Sequence, residues 1–264
     1  MAKVKEIRDY FNKIYPFYMK FDFDNIGMLV GYCEKEVHRA VVALDITDDV
    51  IDEAVKSGAE LIVSHHPLLF HAIKRVTDDD DRGRKIIRMI ENGISAICLH
   101  TTLDTAEGGV NDALMAALGG KVLGLLDPHG CHPDGTPYGV SRIGELPESC
   151  EFDEFLAATK KALNSNGLRY HYAGKPVKKL ACCGGAGGSD LKKAFEAGCD
   201  TYVTADLKYD HFLWAKETGI NLIDADHFCT ENVVVTILRD ALASEFPDID
   251  VQISKVHEQT VKFC

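Results

Sequence analysis

The sequence contains no run near the roughly 20 apolar residues needed to span a bilayer. Its start, MAKVKEIRDYF, spaces apolar residues as an amphipathic helix and lacks the apolar core of a secretory leader. A cytoplasmic protein is therefore expected. Basic charge is scarce, with 29 Lys and Arg against 41 Asp and Glu and a net charge of −12. That balance excludes a general nucleic-acid binder, whose phosphate contacts need a basic face. It leaves room for a small anionic substrate, because bound metal ions can outweigh the global field locally. The nine cysteines form no C-x-x-C pair. Most sit in apolar runs, such as Cys98 in ISAICLH and Cys182 and Cys183 in KLACCGG. They read as small buried hydrophobes in reducing surroundings, with no disulfide framework.

What is present is an alternation of short apolar runs and helical periods over 264 residues, enough for one large domain or two medium ones. Val4, Ile7, Phe11 and Ile14 recur at helical spacing up to Pro16. AVVALDI (40–46) reads as a buried strand. Thr47 or Asp48 can cap the next helix, which ends at Gly58. LIVSHH (61–66) reads as a strand stopped by Pro67, the acid run 78–81 as a solvated loop, RGRKIIRMIENG as a helix and ISAICLH as a strand. The second half repeats this grammar. VKKLACC, TYVTA and NLIDA read as strands, and SDLKKAFEAG (capped by Ser189), HFLWAKETG and ENVVVTILRDALA as helices. Buried strands alternating with helices imply an α/β fold with mixed, largely parallel sheets covered by helices. The Gly-, Pro- and His-rich segment 127–138 is the expected boundary or crossover. It divides the chain into a first lobe of 1–126 with 233–264 and a second of 127–232.

An internal similarity supports two related lobes. AVKSGAELIVSH (54–65) aligns with AFEAGCDTYVTA (194–205) at a constant offset, matching Ala54 to Ala194, Gly58 to Gly198 and Val63 to Val203. Further on, NGISAICLHTTLD aligns with TGINLIDADHFCTE. Both place a His after a strand and an acid four residues later: His100 and Asp104, then His227 and Glu231. With His65 and His66, three strand ends thus carry His and carboxylate side chains. These are donors that suit zinc, iron or manganese. Adjacent histidines on an extended chain point to opposite sides, so His65 and His66 could reach different ions, or one could orient the other. Thr230 is a plausible cap that would put Glu231 in the first turn of the last helix. CCGGAGGSD (182–190) could hold a phosphate on its backbone, but without G-x-G-x-x-G or a Walker lysine it reads as tight strand–helix packing. His129, Cys131 and His132 read as a polar loop.

The motifs DNIGMLVG (24–31), SHHPLLF (64–70), HTTLD (100–104) and DADHFCTE (224–231) occur in order across most of the chain. Together they resemble the Nif-three-like dinuclear metal-centre family, whose members often carry the name GTP cyclohydrolase 1 type 2 homologue. The resemblance implies two divalent ions held by His65, His66, Asp104, His227 and Glu231, with the Glu bridging. It also implies two similar α/β lobes facing each other across the metal site, and a ring-shaped homohexamer. The chain looks like the compact form without the family's inserted middle domain. It departs from the pattern at TADLKYDH (204–211), in place of a Thr-Gly-Asp-like stretch, and at Asp226, where Gly is expected. Two divalent ions outweigh the two carboxylates, so the site should attract an anion such as a phosphate or nucleotide. Metal-bound water supplies a nucleophile near neutral pH. The expected activity is a metal-dependent hydrolase of cyclohydrolase, phosphatase or phosphodiesterase type, with His100 as general acid/base or as an orienting group. A core or capping role for His100 is equally open. The alternative is a regulatory or interaction protein whose metals are structural or cargo.

Overall fold

Strands that are apolar at nearly every position are stable only with both faces covered. The computed structural model, which describes residues 2–264, meets that demand with helix-covered sheets. In chain order the elements begin with α1 (Val4–Ile14), β1 (Gly27–Val30), β2 (Arg39–Ala43), α2 (Asp48–Ser57), β3 (Leu61–Ser64), α3 (Asp81–Glu91) and β4 (Ser95–Cys98). Next come α4 (His100–Thr105), α5 (Val110–Ala117), β5 (Lys121–Leu125), β6 (Pro128–Cys131), β7 (Pro137–Gly139), β8 (Arg142–Cys150), α6 (Phe152–Ala162) and β9 (Arg169–His171). The chain ends with β10 (Val177–Cys182), α7 (Leu191–Glu196), β11 (Thr201–Thr204), α8 (Tyr209–Thr218), β12 (Asn221–Asp224), α9 (His227–Glu231), α10 (Val233–Glu245) and β13 (Asp250–Ile253). No helix is long and apolar enough to cross a membrane among the described residues.

The chain divides into two compact units. The first runs to Leu103 and resumes over Val235–His257; the second holds Asp104–Val234 and Glu258–Cys264. The first unit's sheet has the order β1-β4-β3-β2-β13, antiparallel only at β1. The second unit's main sheet has the order β5-β8-β10-β11-β12-β9, with β10, β11 and β12 parallel and the outer pairings antiparallel. Both faces of its parallel strands are buried. Leu180, Val203 and Ile223 join one core with Phe152 and Phe155, while Ala181, Tyr202 and Leu222 join another with Leu191. This period of two explains why these strands read as unbroken apolar runs. The segment 127–138 supplies a small hairpin of its own, β6 with β7.

The internal similarity is structural. β3 (Leu61–Ser64) and β11 (Thr201–Thr204) share the same offset, and each is the middle of a parallel trio flanked by an antiparallel strand. The acids heading these strands do the same work. Glu60 accepts from the His38 and Arg39 N–H groups at 3.0 and 2.9 Å; Asp200 accepts from Lys178 and Lys179 at 2.9 and 2.8 Å. Burial pushes the Glu60 carboxyl up, but these backbone donors prevail and hold it below its usual range.

Several local expectations need correction. Of the acid run 78–81, Asp78 and Asp79 lie in an exposed turn, as expected, but the run ends as a helix start: Asp80 accepts from Gly83 N–H at 3.0 Å and Asp81 opens α3, where its charge faces the positive end of the helix dipole. Ser189 does not cap α7; it lies in a 3-10 turn, Gly188–Asp190, that precedes it. The last helical stretch is broken into α9 and α10. Its cap is Asp226, whose side chain accepts from Cys229 N–H at 3.2 Å, while Thr230 donates back to the Asp226 carbonyl. Asp226 has φ +70°, a left-handed conformation that explains why glycine suits this position.

Candidate metal centre

In the first unit, β3 ends at Ser64, and the next two residues no longer alternate. An extended pair would throw its side chains to opposite sides. Instead the His65 and His66 ring centroids lie 4.9 Å apart. Their backbone stays tied to the end of β2 through His65 N–H to Ala43 and His66 N–H to Leu44. His100 opens α4, and its N–H donates to the His65 carbonyl at 2.9 Å. The three rings close a triangle, with His100 5.4 Å from His65 and 5.6 Å from His66. Each offers a ligand nitrogen, and these atoms lie within 4.8 Å of one another. His65 is buried; His66 and His100 are partly exposed.

In the second unit, His227 opens α9 and Glu231 closes it, so the spacing of four puts them on one helix face. His227 Nε2 stands 3.1 Å from Glu231 Oε2. A carboxylate oxygen of Asp104 lies within 4.8 Å of one from Glu231, and both residues are buried. Two buried carboxylates so close repel each other unless a cation or a proton lies with them. Each unit's donors, imidazoles in the first and an imidazole with two buried carboxylates in the second, are of the kind that suits divalent zinc, iron or manganese.

The histidines are also oriented for this task. His66 Nδ1 is 2.8 Å from Asp45, His100 Nδ1 is 2.7 Å from Asp24, and His227 Nδ1 is 2.8 Å from Asp206. A carboxylate on Nδ1 fixes the tautomer and turns Nε2 outward as the basic nitrogen. None of these three acids was singled out from the sequence. The available signal was positional, since Asp45 and Asp206 follow β2 and β11 by two residues. Asp206 belongs to the departing TADLKYDH stretch, which thus keeps the acid that serves His227.

Asp24 is buried, which pushes its carboxyl up, yet hydrogen bonds from His100 and Thr101 prevail and hold it at about 2. A depressed folded pKa adds stability above the unfolded value, near pH 4, that is lost as pH falls toward 2. The contribution is about 2 kcal/mol. Urea unfolding of wild type and Asp24→Asn should differ by about that much at pH 7 and much less near pH 2. A gap that stays constant with pH would show that Asp24 is not the group responsible.

The other candidates take structural places. In the glycine-rich loop 184–188, Gly184 N–H donates to Asn111, Gly185 N–H to Thr230 and Gly187 N–H to Thr204, so these donors already have protein partners. The Tyr202 hydroxyl donates to the Gly187 carbonyl, closing the loop onto β11. Burial pushes the Cys183 thiol up to about 12, which makes it inert. No disulfide links the cysteines among the described residues. His132 packs edge-on against Tyr138 on the β6–β7 hairpin, and no metal-ligand group among the described residues includes His129, Cys131 or His132.

Known proteins share this architecture along the whole chain. A relative from Clostridium perfringens, named GTP cyclohydrolase 1 type 2 homolog, is 34% identical over 265 residues, covering 99% of each chain. One of the same name from Methanocaldococcus jannaschii is 32% identical, covering 95% of this chain and 98% of its own. Among solved structures, a Bacillus cereus protein related to NIF3 superposes with a TM-score of 0.92 over 100% of this chain and 99% of its own. Its 24% identity speaks for the fold alone. Reduced HcgD from Methanocaldococcus jannaschii superposes with a TM-score of 0.79 at 30% identity, covering 96% of this chain and 98% of its own. Residues 2–260 match the profile of Duf34/NIF3 (NGG1p interacting factor 3), and the chain belongs to that family.

Proposed function

We propose that this chain is a hydrolase that holds two divalent metal ions on His65, His66, Asp104, His227 and Glu231 and acts on a nucleotide or another small phosphorylated or cyclic substrate. The observation that carries this reading is the set of three histidines, each turned by an aspartate on Nδ1 so that Nε2 is presented. A divalent ion held there would polarise a substrate oxygen and lower the pKa of its water to about 7. The imidazoles of His65, His66 and His227 add no charge, so Asp104 and Glu231 leave the site positive and attractive to an anion. His100, its Nδ1 held by Asp24, keeps Nε2 to accept or deliver a proton at the substrate. The relatives' shared name makes GTP the first substrate to test, and opening a purine ring is itself a hydrolysis. The family resemblance adds a homohexameric ring, which light scattering would check.

The test is a panel of GTP, phosphomonoesters and phosphodiesters assayed with metal-stripped protein, protein reloaded with zinc, manganese or iron, and a His65→Ala, Glu231→Ala double variant. Turnover is expected in the reloaded wild type, falling to background in the other two. Bound metal without turnover on any substrate would favour a regulatory protein, in keeping with the words "interacting factor" in the family description.

A further inference from the structure

A methyl group is the smallest side chain a loop can carry, and at Gly185 there is no room for one. A Cβ there would stand 2.2 Å from Glu231 Oε1 and 3.2 Å from His227 Cε1. At Gly184 it would stand 2.7 Å from Val110 Cγ1 and 3.2 Å from Glu231 Cγ. The loop cannot simply step back. Gly185 N–H donates to Thr230 Oγ1 at 3.0 Å, and its carbonyl accepts from Ala205 N–H at 2.9 Å and from the Thr204 hydroxyl at 3.1 Å. Gly184 N–H donates to Asn111 Oδ1 at 2.8 Å, and the same buried Asn111 donates Nδ2 to the Asp104 carbonyl at 2.9 Å. One continuous set of hydrogen bonds therefore runs from the backbone of Asp104, through Asn111, Gly184 and Gly185, to Thr230, the neighbour of Glu231.

We infer that Asn111, Gly184, Gly185 and Thr230 form a positioning bracket that sets the spacing of the Asp104 and Glu231 carboxylates for a shared divalent cation. Gly185 is the member whose missing side chain admits Glu231. This inference rests on the metal-centre reading above. The atom obstructing a methyl at Gly185 is the far end of a flexible side chain. An added methyl therefore displaces the Glu231 carboxylate and leaves the fold standing. Because an outer partner of a metal ligand typically governs 10- to 100-fold in affinity, the loss falls on metal binding.

The experiment compares Gly185→Ala with Gly174→Ala in the full chain. Gly174 is also left-handed, at φ +77°, but a Cβ there meets nothing within 4 Å, so it carries the backbone strain alone. Calorimetric titration of manganese or zinc into metal-stripped protein should show affinity about 10- to 100-fold weaker for Gly185→Ala and unchanged for Gly174→Ala, with similar shifts in melting temperature. Adding Glu231→Asp, which draws the carboxylate back by one methylene, should weaken binding less in the Gly185→Ala background than in wild type. Thr230→Val, which removes the acceptor for Gly185 N–H, should weaken binding, and Thr230→Ser should restore it. These two serve if Gly185→Ala does not fold. Wild-type affinity in folded Gly185→Ala or Thr230→Val would overturn the bracket and leave the metal centre standing. A wild type that binds neither ion would overturn both.

Discussion

Asp45→Asn and Asp206→Asn are each expected to weaken divalent-metal binding by about 10- to 100-fold, with little change in melting temperature. The two acids hold Nδ1 of His66 and His227 at 2.8 Å. Their charge favours the tautomer with the proton on Nδ1 and makes the opposite nitrogen a better donor. Asparagine nearly preserves shape, but it loses the charge and can turn its amide toward the ring, which favours the wrong tautomer. Both acids are well exposed, 44% and 55% by side chain, so their ion pairs contribute little to stability. Affinity and stability therefore separate. Titration calorimetry beside a thermal melt checks this, and unchanged affinity in both variants would mean that the acids do not orient ligands.

A second pair of variants probes the internal repeat. Glu60→Ala and Asp200→Ala should each lower stability by about 2–3 kcal/mol, since each removes a charged acceptor from two backbone donors. Water reaches part of each site, which keeps the loss below that of two fully buried charged hydrogen bonds. Their equivalence is the sharper expectation. The two acids close the same corner of two similar sheets, between the start of one strand and the head of the next. Urea unfolding that shows a large loss at one position and none at the other would contradict an equivalent role.

How far this was legible in the sequence depends on how local the signal was. The parallel trios were visible because each strand carries a short apolar run, and the shared offset of β3 and β11 came through as a matched glycine and valine. β8, with charged residues along RIGELPESC, carries no apolar run and could not be read in the same way. The histidines and acids of the candidate centre stood out because each follows an apolar strand. Their orienting partners did not, since Asp24 is 76 residues from His100, and Asp45 and Asp206 are each 21 residues from their histidines. Such pairs are made by the fold, and no spacing rule reaches them. The side-by-side rings of His65 and His66 were missed for a different reason. Alternation holds only while the chain is extended, and β3 stops one residue earlier.

The capping corrections share a cause. Residue type alone points to Ser189 and Thr230 as caps, but a cap also depends on where the backbone leaves the helical region. At Asp226 it does so through a left-handed residue, which short-range propensity disfavours and tertiary structure imposes. The glycines 184 and 185 likewise looked like packing residues, and only the nearness of Glu231 and His227 shows what they make room for.

The most direct measurement is the metal-to-chain ratio of wild-type protein, stripped, reloaded with zinc, manganese or iron and freed of excess, beside the His65→Ala, Glu231→Ala double variant. Two ions per chain in the wild type and a marked loss in the variant are expected. A wild type that retains no metal under any of the three loadings, or a variant that retains as much as wild type, would contradict the assignment of these residues as a dinuclear centre.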